Sequence, residues 1–592
     1  MDRGSHQQIR KARLTVPSGR LRALTLMASL TVYLATLASP VFSQAILEGE
    51  RFYPASASNG MVATSHTLAT EVALDVLKNG GNAVDAAVTA GFALAVTQPR
   101  SGNIGGGGFM LISKGDGSEP EAIDYREKAP SGATEAMYQD ESGEVVKDRS
   151  RFTHLAAGVP GTVAGLALAL ERHGTISLKQ ALAPAIKLAR DGFIVPKRFS
   201  EGLEQARERL QRWPATQATF YKEDGSAWQA GERFRQPELA DTLQRIADDG
   251  VKGFYEGETA RLIVEEMERH GGLITRQDLE NYQPAVRAPV HGNYRGYDIY
   301  SMSPPSSGGA HIVQILNVLE GFPISELGHN SADTIHYMAE AMKLAYADRS
   351  EYLGDTDYVN VPLKGLTSKS YADELRQGIK LDKARPASEV RPGQPASYES
   401  PETTHFSVVD KWGNAVSNTY TINFSYGSGI TVQGAGFLLN NEMDDFSAKP
   451  GVPNAYGLIG GAANKVEPGK RMLSSMSPTI VRKGDRNFLV TGSPGGSRII
   501  TTTLQVIMNV IDHGMNIQTA VNAPRIHHQW LPDEIRIEQG ISKDTIRLLE
   551  SRGHKVVTNS AMGAIQSIMI GEDGTLYGGA DPRRSTSSAM GY

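Results

Sequence analysis

The chain has no cysteine in its 592 residues, which excludes disulfides, thiolate catalysis and Cys-ligated metal centres. That absence assigns no compartment, because an exported protein can live without disulfides. A dominant charge is also lacking. Lys and Arg number 60 against 65 Asp and Glu, a formal net charge of -5, which over this length gives no reason to expect nucleic acid as a partner. Beyond the N-terminal region no run is long and apolar enough to cross a membrane. Two catalytic signatures are missing as well. No G-x-S-x-G occurs, so a serine nucleophile elbow has no support. No H-E-x-x-H occurs, and no short His/Asp/Glu group has convincing metal spacing. His527 and His528 are adjacent, so on a strand their rings point apart and the pair reads as structural.

What is present has the balance of an ordinary globular protein, 40% hydrophobic and 21% charged, which argues against both disorder and a multi-span membrane protein. Length alone suggests two to four domains. Gly, at 62 residues, points to tight turns and close backbone approaches rather than a helical bundle. The N-terminus carries an address. Arg3, Arg10, Lys11, Arg13, Arg20 and Arg22 precede an uncharged run from Ala23 to Leu37, and small residues follow. Val41-Phe42-Ser43 and Ser43-Gln44-Ala45 both offer small-x-small cleavage patterns, so residues 1–43 are expected to be a secretory signal, cut within about two residues of that end. An uncleaved anchor is the alternative, although the run is slightly short of a full span. The mature protein is expected to be periplasmic or secreted.

Along the chain, His66-Thr67 opens a helix to Leu77, and an alanine-rich buried helix covers Ala83 to Val96. The cluster Gly105–Gly108 lacks the Lys-Ser/Thr of a P-loop and the strand–G-x-G-x-x-G–helix order of a dinucleotide site. It reads as a close backbone turn feeding a strand at Phe109–Ser113. Arg126 ends a second strand, where it is either a solvated charge or a fork for a substrate carboxylate. From Thr162 to about Lys380 the signals are mostly helical, including a capping-box pattern at Ser177–Gln180. Composition then changes: Ala384 to Glu402 holds Pro386, Pro392, Pro395 and Pro401 and almost nothing apolar, an exposed and extended stretch. After it the period becomes two, with strands at Phe406–Val409, Ala415–Thr421, Phe437–Leu439, Thr479–Arg482 and Asn487–Thr491, a helix from about Arg498 to Asp512, and a pair at Gln566–Ile570 and Thr575–Gly578. Helices and strands in separate runs predict an α+β fold layered α/β/β/α.

The threonine pair at Thr403-Thr404, where loop becomes strand, fits ordinary strand-start residues. It also fits a nucleophile. A hydroxyl needs a base, and no His/Asp partner is evident; a chain-terminal threonine supplies its own in an α-amino group of pKa about 7.7–8.0. Producing that amine requires a cut before Thr403, and a Pro-rich lead-in is where a cut is accessible.

Here the residues carry a resemblance. Thr403–Ser407, Arg471–Thr479, Gly492–Ser497, Asn440–Phe446 and the Asp124–Pro130 stretch together resemble γ-glutamyltranspeptidases, N-terminal-nucleophile hydrolases, from about residue 50 to Tyr592. The resemblance implies a four-layer αββα sandwich made of two subunits cut from one precursor between Glu402 and Thr403: a large subunit 44–402 and a small catalytic subunit 403–592. It implies that Thr403 attacks first the Glu402 carbonyl and later the γ-glutamyl carbonyl of a donor such as glutathione, supported by the Thr421 hydroxyl. Arg126, Ser474 and Ser475 match the groups that hold the donor α-carboxylate, and Asn423, Glu442 and Asp445 those that accept from its α-ammonium. Gly495 and Gly496 match the oxyanion hole, and Tyr456 lies in a lid loop, Pro450–Gly461. Water, an amino acid or a dipeptide takes the acyl group, and no cofactor, metal or nucleic acid is implied. A cephalosporin or glutaryl acylase of the same superfamily is the alternative; the three α-amino acceptors argue against it, since a glutaryl group has no ammonium.

Overall fold

The computed structural model describes residues 53–393, 404–449 and 461–592. The signal segment, Glu402, Thr403 and Tyr456 lie outside the described residues. Glu50–Tyr592 forms one compact unit, where length alone suggested two to four domains.

Two seven-stranded sheets organise that unit. In chain order their strands are β1 (Ala55–Ala57), β2 (Met61–Thr64), β3 (Gly107–Ser113), β4 (Glu121–Tyr125), β5 (Ala285–Arg287), β6 (Val290–Tyr294), β7 (Tyr297–Ser301), β8 (Thr404–Val409), β9 (Ala415–Thr421), β10 (Thr479–Lys483), β11 (Arg486–Thr491), β12 (Gln566–Ile570), β13 (Leu576–Ala580) and β14 (Ser588–Gly591). One sheet runs β14-β2-β8-β9-β3-β4-β5 and the other β1-β13-β12-β11-β10-β7-β6.

Alternation along each strand explains the layering. Met110, Ile112, Phe406, Val408 and Val416 turn outward from the first sheet and pack on helices Thr67–Lys78, Ala83–Thr97 and Thr162–His173. Their neighbours Phe109, Leu111 and Val409 turn inward, to meet Ile480, Val490 and Ile568 of the second sheet. The other residues of those strands, Val481 and Leu489, face outward against helices Gly308–Glu320, Ala332–Tyr352 and Arg498–Ile511. Side chains one residue apart thus serve two different cores, the signature of a strand buried on both faces. The four layers are αββα, as expected.

The expected cut would not separate this fold into halves. β8 and β9 sit between β2 and β3, and β10 to β13 sit between β1 and β7. Hydrogen-bonded ladders therefore join residues before 402 to residues after 403 in both sheets.

Three sequence expectations need correction. The stretch read as mostly helical contains β5, β6 and β7, whose Tyr- and Val-bearing segments are short enough to be masked by the flanking helices. Phe437–Leu439 is not a strand; Leu438 makes a single bridge to Thr431, and Leu439 N donates to Ile430 O at 2.8 Å. The described part of the Pro-rich lead-in is anchored rather than exposed. Ala384, Ala387 and Val390 are buried around a 3-10 turn, Ala387 N donates to Asp533 Oδ2 at 2.7 Å, and Trp530 Nε1 donates to Ala387 O at 3.1 Å. The rest of that lead-in lies outside the described residues.

Candidate active site

The glycine cluster sets the position of the end of β9. A Cβ on Gly106 would stand 2.0 Å from Thr421 O, and one on Gly105 would stand 2.3 Å from Leu438 O; only a residue without one lets these backbones meet. Asn103 locks the approach, accepting from Gly106 N at 2.9 Å and donating from Nδ2 to Thr421 O at 2.8 Å. The cluster is a close backbone turn, as read from the sequence. Thr421 Oγ1 then accepts from Asn423 N at 2.7 Å. Asn423 has φ 67°, a left-handed conformation that Asn tolerates better than most residues. Its Nδ2 donates to Asn441 O at 2.9 Å, while its buried Oδ1 has no partner among the described residues.

Across this turn stands a buried charge cluster. Arg126 leaves the end of β4 with 1% of its surface exposed. Its Nη1 donates to Glu442 Oε2 at 2.6 Å, its Nη2 to Asp445 Oδ2 at 2.5 Å and Leu473 O at 3.0 Å, and its Nε to Met472 O at 3.2 Å. Burial works against its charge, but Glu442, Asp445 and Glu127 outweigh it and hold the guanidinium above its usual pKa. Burial also pushes the Glu442 carboxyl up, moderated by Arg126 and by hydrogen bonding from the Thr421 hydroxyl. Glu127 is pushed well up by burial and by the Glu442 charge. One guanidinium thus stands among three buried carboxyl groups, an arrangement able to take a further positive charge.

The Glu442–Asp445 turn is fixed by its flanks. Asn440 Oδ1 accepts from Gly158 N at 2.9 Å and Glu442 N at 3.1 Å, and its Nδ2 donates to Gly105 O at 2.9 Å. Asn464 Nδ2 donates to Asp445 O at 2.7 Å.

Ser474 and Ser475 follow directly on Leu473, whose carbonyl already accepts from Arg126. Ser474 N donates to Pro305 O at 2.8 Å, and Ser307 N donates back to Ser474 O at 2.8 Å. Ser475 Oγ accepts from Arg349 Nη2 at 2.9 Å. The loop Gly492–Ser497 reaches the same region from β11. A Cβ on Gly492 would stand 2.6 Å from the His405 ring, so this loop packs on the residue after Thr404. Gly495 and Gly496 adopt φ 137° and 66°, and their N–H groups have no protein acceptor among the described residues. Tyr346 Oη donates to Ser497 O just beyond them. His405 itself is a poor base: burial drives its pKa down to about 3, and its ring is held by Thr419 Oγ1 at 2.9 Å and Ser407 Oγ at 3.0 Å.

The family model described as gamma-glutamyltranspeptidase matches residues 69–591. The chain belongs to the γ-glutamyltranspeptidase family. It is 55% identical over 547 residues to the glutathione hydrolase proenzyme of Escherichia coli (strain K12), covering 92% of this chain and 94% of that one. Among solved structures, the cephalosporin acylase from Bacillus halodurans superposes with a TM-score of 0.82 at 30% identity, covering 94% of this chain and 99% of that chain. The Helicobacter pylori γ-glutamyltranspeptidase gives 0.55 at 47% identity, covering 59% and 97%.

Of the residues expected from the family resemblance, Arg126, Glu442 and Asp445 touch directly, and Thr421 and Asn423 are joined to each other. Ser474 and Ser475 directly follow Leu473, whose carbonyl accepts from Arg126 Nη2. In this member of the γ-glutamyltranspeptidase family, residues that sequence reasoning passed over also build the cluster and its surroundings. Glu127 adds a third carboxyl, Asn103 and Asn440 clamp the two turns, and Arg349 and Tyr346, one helical turn apart on Ala332–Tyr352, hold Ser475 and Ser497. One signal for this last pair is legible in the sequence: Tyr346 and Arg349 stand three residues apart, on one face near the end of a helical stretch.

Proposed function

We propose that this chain is the precursor of a γ-glutamyl acyltransferase and hydrolase that cuts itself between Glu402 and Thr403 and then uses Thr403 as its nucleophile. The observation that carries the reading is the buried set of Arg126, Glu442, Asp445 and Asn423, drawn from three separate chain segments to the end of the β8–β9 ladder. Such a set suits a zwitterionic α-amino acid group: the carboxylate takes the guanidinium with help from Ser474 and Ser475, and the ammonium takes Glu442, Asp445 and the Asn423 amide oxygen. Thr404, which follows the nucleophile, pairs with Tyr420, one residue before Thr421.

The reaction is a two-step acyl transfer. The free α-amine of Thr403 removes the hydroxyl proton, since His405 is too weak a base to do so. The alkoxide adds to the γ-glutamyl carbonyl, and the N–H groups of Gly495 and Gly496 hold the developing oxyanion. A donor of that kind is worth about 2.7–4 kcal/mol. The amine leaves with the proton, cysteinylglycine in the case of glutathione. Water or the amine of an amino acid or dipeptide then attacks the Thr403 ester and restores the enzyme.

The large and small subunits stay together as a heterodimer, and the N-terminal signal sends the protein to the periplasm or beyond. No helix among the described residues is long and apolar enough to cross a membrane. Tyr456, which lies outside the described residues, is assigned to a lid over the donor site on the family resemblance alone. The acylase reading is tested by comparing turnover of γ-glutamyl and glutaryl anilides: preference for the γ-glutamyl compound supports this account, and preference for the glutaryl one replaces it.

A further inference from the structure

Away from the charge cluster, three side chains converge on one point. His154 comes from the 3-10 turn His154–Ala156, while Glu266 and His270 lie one turn apart on the helix Gly257–His270. His154 Nε2 is 2.9 Å from Glu266 Oε1, and His270 Nε2 is 3.6 Å from the same oxygen. The three candidate ligand atoms all lie within 4.8 Å of one another. The two imidazoles stack at 4.7 Å with 18° between their planes, and Trp213 packs edge-on against both.

We propose that His154, Glu266 and His270 form a binding site for one divalent transition-metal ion of the zinc class. Two imidazoles and one carboxylate suit zinc, nickel or copper, whereas calcium and magnesium favour all-oxygen sets. Bonds of about 2.0–2.1 Å at a tetrahedral angle put neighbouring ligand atoms about 3.3 Å apart, and the observed 2.9 and 3.6 Å bracket that spacing. His154 and Glu266 are 2% and 4% exposed and His270 sits at the surface, so two ligands are preorganised and the third faces the entry path. Arg269 is 3.4 Å from the other Glu266 oxygen, Oε2, and also donates to Gln433 Oε1 at 2.9 Å, which leaves Oε1 directed at the two histidines.

A second cluster of the same composition shows what such a site is not. His336, Glu340 and His554 are all buried, but Lys343 Nζ donates to Glu340 Oε1 at 2.9 Å, where it supplies the positive charge an ion would bring. His336 Nδ1 and His554 Nε2 stand 2.8 Å apart and share a proton, and His336 Nε2 is tied to Lys380 O. At Glu266 the Arg269 guanidinium meets Oε2 at 3.4 Å, and the oxygen facing the histidines, Oε1, is not the one it pairs with.

The site has a structural reach. Leu155, between His154 and Ala156, packs with Met443 and Phe446 of the turn that carries Glu442 and Asp445. An ion here fastens the helix Gly257–His270 to the turn backing the charge cluster. The proposal does not depend on the reaction assigned to that cluster.

The test is titration of the purified, metal-stripped protein, carrying no polyhistidine tag, with zinc chloride at pH 7.5 by calorimetry. One equivalent is expected to bind, and His270→Asn and Glu266→Gln are each expected to weaken it at least 10-fold. His270 is at the surface, so its variant keeps the fold, checked by circular dichroism. Copper(II) is expected to quench part of the tryptophan fluorescence in the wild type and in neither variant; Trp213→Phe is expected to remove that component while zinc still binds. Absence of stoichiometric zinc uptake, or uptake unchanged in both ligand variants, overturns the proposal.

Discussion

Arg126 and Glu442, 316 residues apart in the chain, meet at 2.6 Å in a fully buried ion pair. One lies before the proposed cut and the other after it, so the charge cluster is completed only when both products of cleavage remain together. Breaking such a pair from one side strands a buried charge, which is far more costly than losing a surface contact. The pair also explains why cleavage need not disturb the site: the surrounding strands interleave across the cut in both sheets.

Arg126→Lys is expected to leave cleavage intact and to raise KM for a γ-glutamyl donor. A lysine keeps the charge but loses the fork, and loss of a charge-assisted hydrogen bond costs about 1.5–3 kcal/mol, or about 10- to 100-fold in apparent affinity. Steady-state kinetics on the cleaved variant check this; unchanged kinetics remove Arg126 from the donor site.

Arg349 donates to the Ser475 hydroxyl and Tyr346 to the Ser497 carbonyl, and the effects of replacing them should separate. Arg349→Lys is expected to act mainly on KM by releasing the Ser475 hydroxyl, while Tyr346→Phe acts mainly on kcat by loosening the backbone after Gly496. The tyrosine hydrogen bond is worth about 1 kcal/mol, so a kcat loss of about 5-fold is expected. The same shift of KM and kcat in both variants would remove the distinction.

Glu127 gives a pH signature. Burial and Glu442 push its folded-state pKa well above the usual carboxyl value. The folded state therefore holds more protons than the unfolded chain above pH about 4.5, and stability falls as pH rises from there through the raised pKa. Glu127→Gln is expected to remove that loss, raising Tm at pH 8 by about 1–3 °C with little change at pH 4. Thermal melts at both values measure it; a lowered Tm at pH 8 contradicts the assignment.

Gly106→Ala brings a Cβ to within 2.0 Å of the Thr421 carbonyl unless the backbone moves. Destabilisation of about 3 kcal/mol is expected, together with slowed cleavage, because β9 sets the position of Thr421. Denaturant unfolding and gel densitometry of the precursor report the two effects.

The strands flanking the site were legible because each alternates between two cores, as at Phe109 and Met110 or Ile480 and Val481. The site residues were legible through family motifs, not through periodicity; nothing local to Arg126 separates a buried fork from a surface charge. What escaped was set by tertiary contact. β5 to β7 are short and take their place from pairing with β4 and β10. Phe437–Leu439 has strand-like residues but is held in a turn by Gly105 and Ile430. Ala384, Ala387 and Val390 find a surface made by Trp530 and its neighbours. The partner of Ser475 is an arginine on a helix 126 residues upstream, and no spacing rule connects them.

The most direct test of the account is the N-terminal sequence of the small fragment in the purified protein. The account predicts two bands on a denaturing gel, a small fragment beginning Thr403-Thr404-His405, and a single inactive band for Thr403→Ala. A wild-type protein that hydrolyses γ-glutamyl donors while uncut, or whose small fragment begins at another residue, contradicts it.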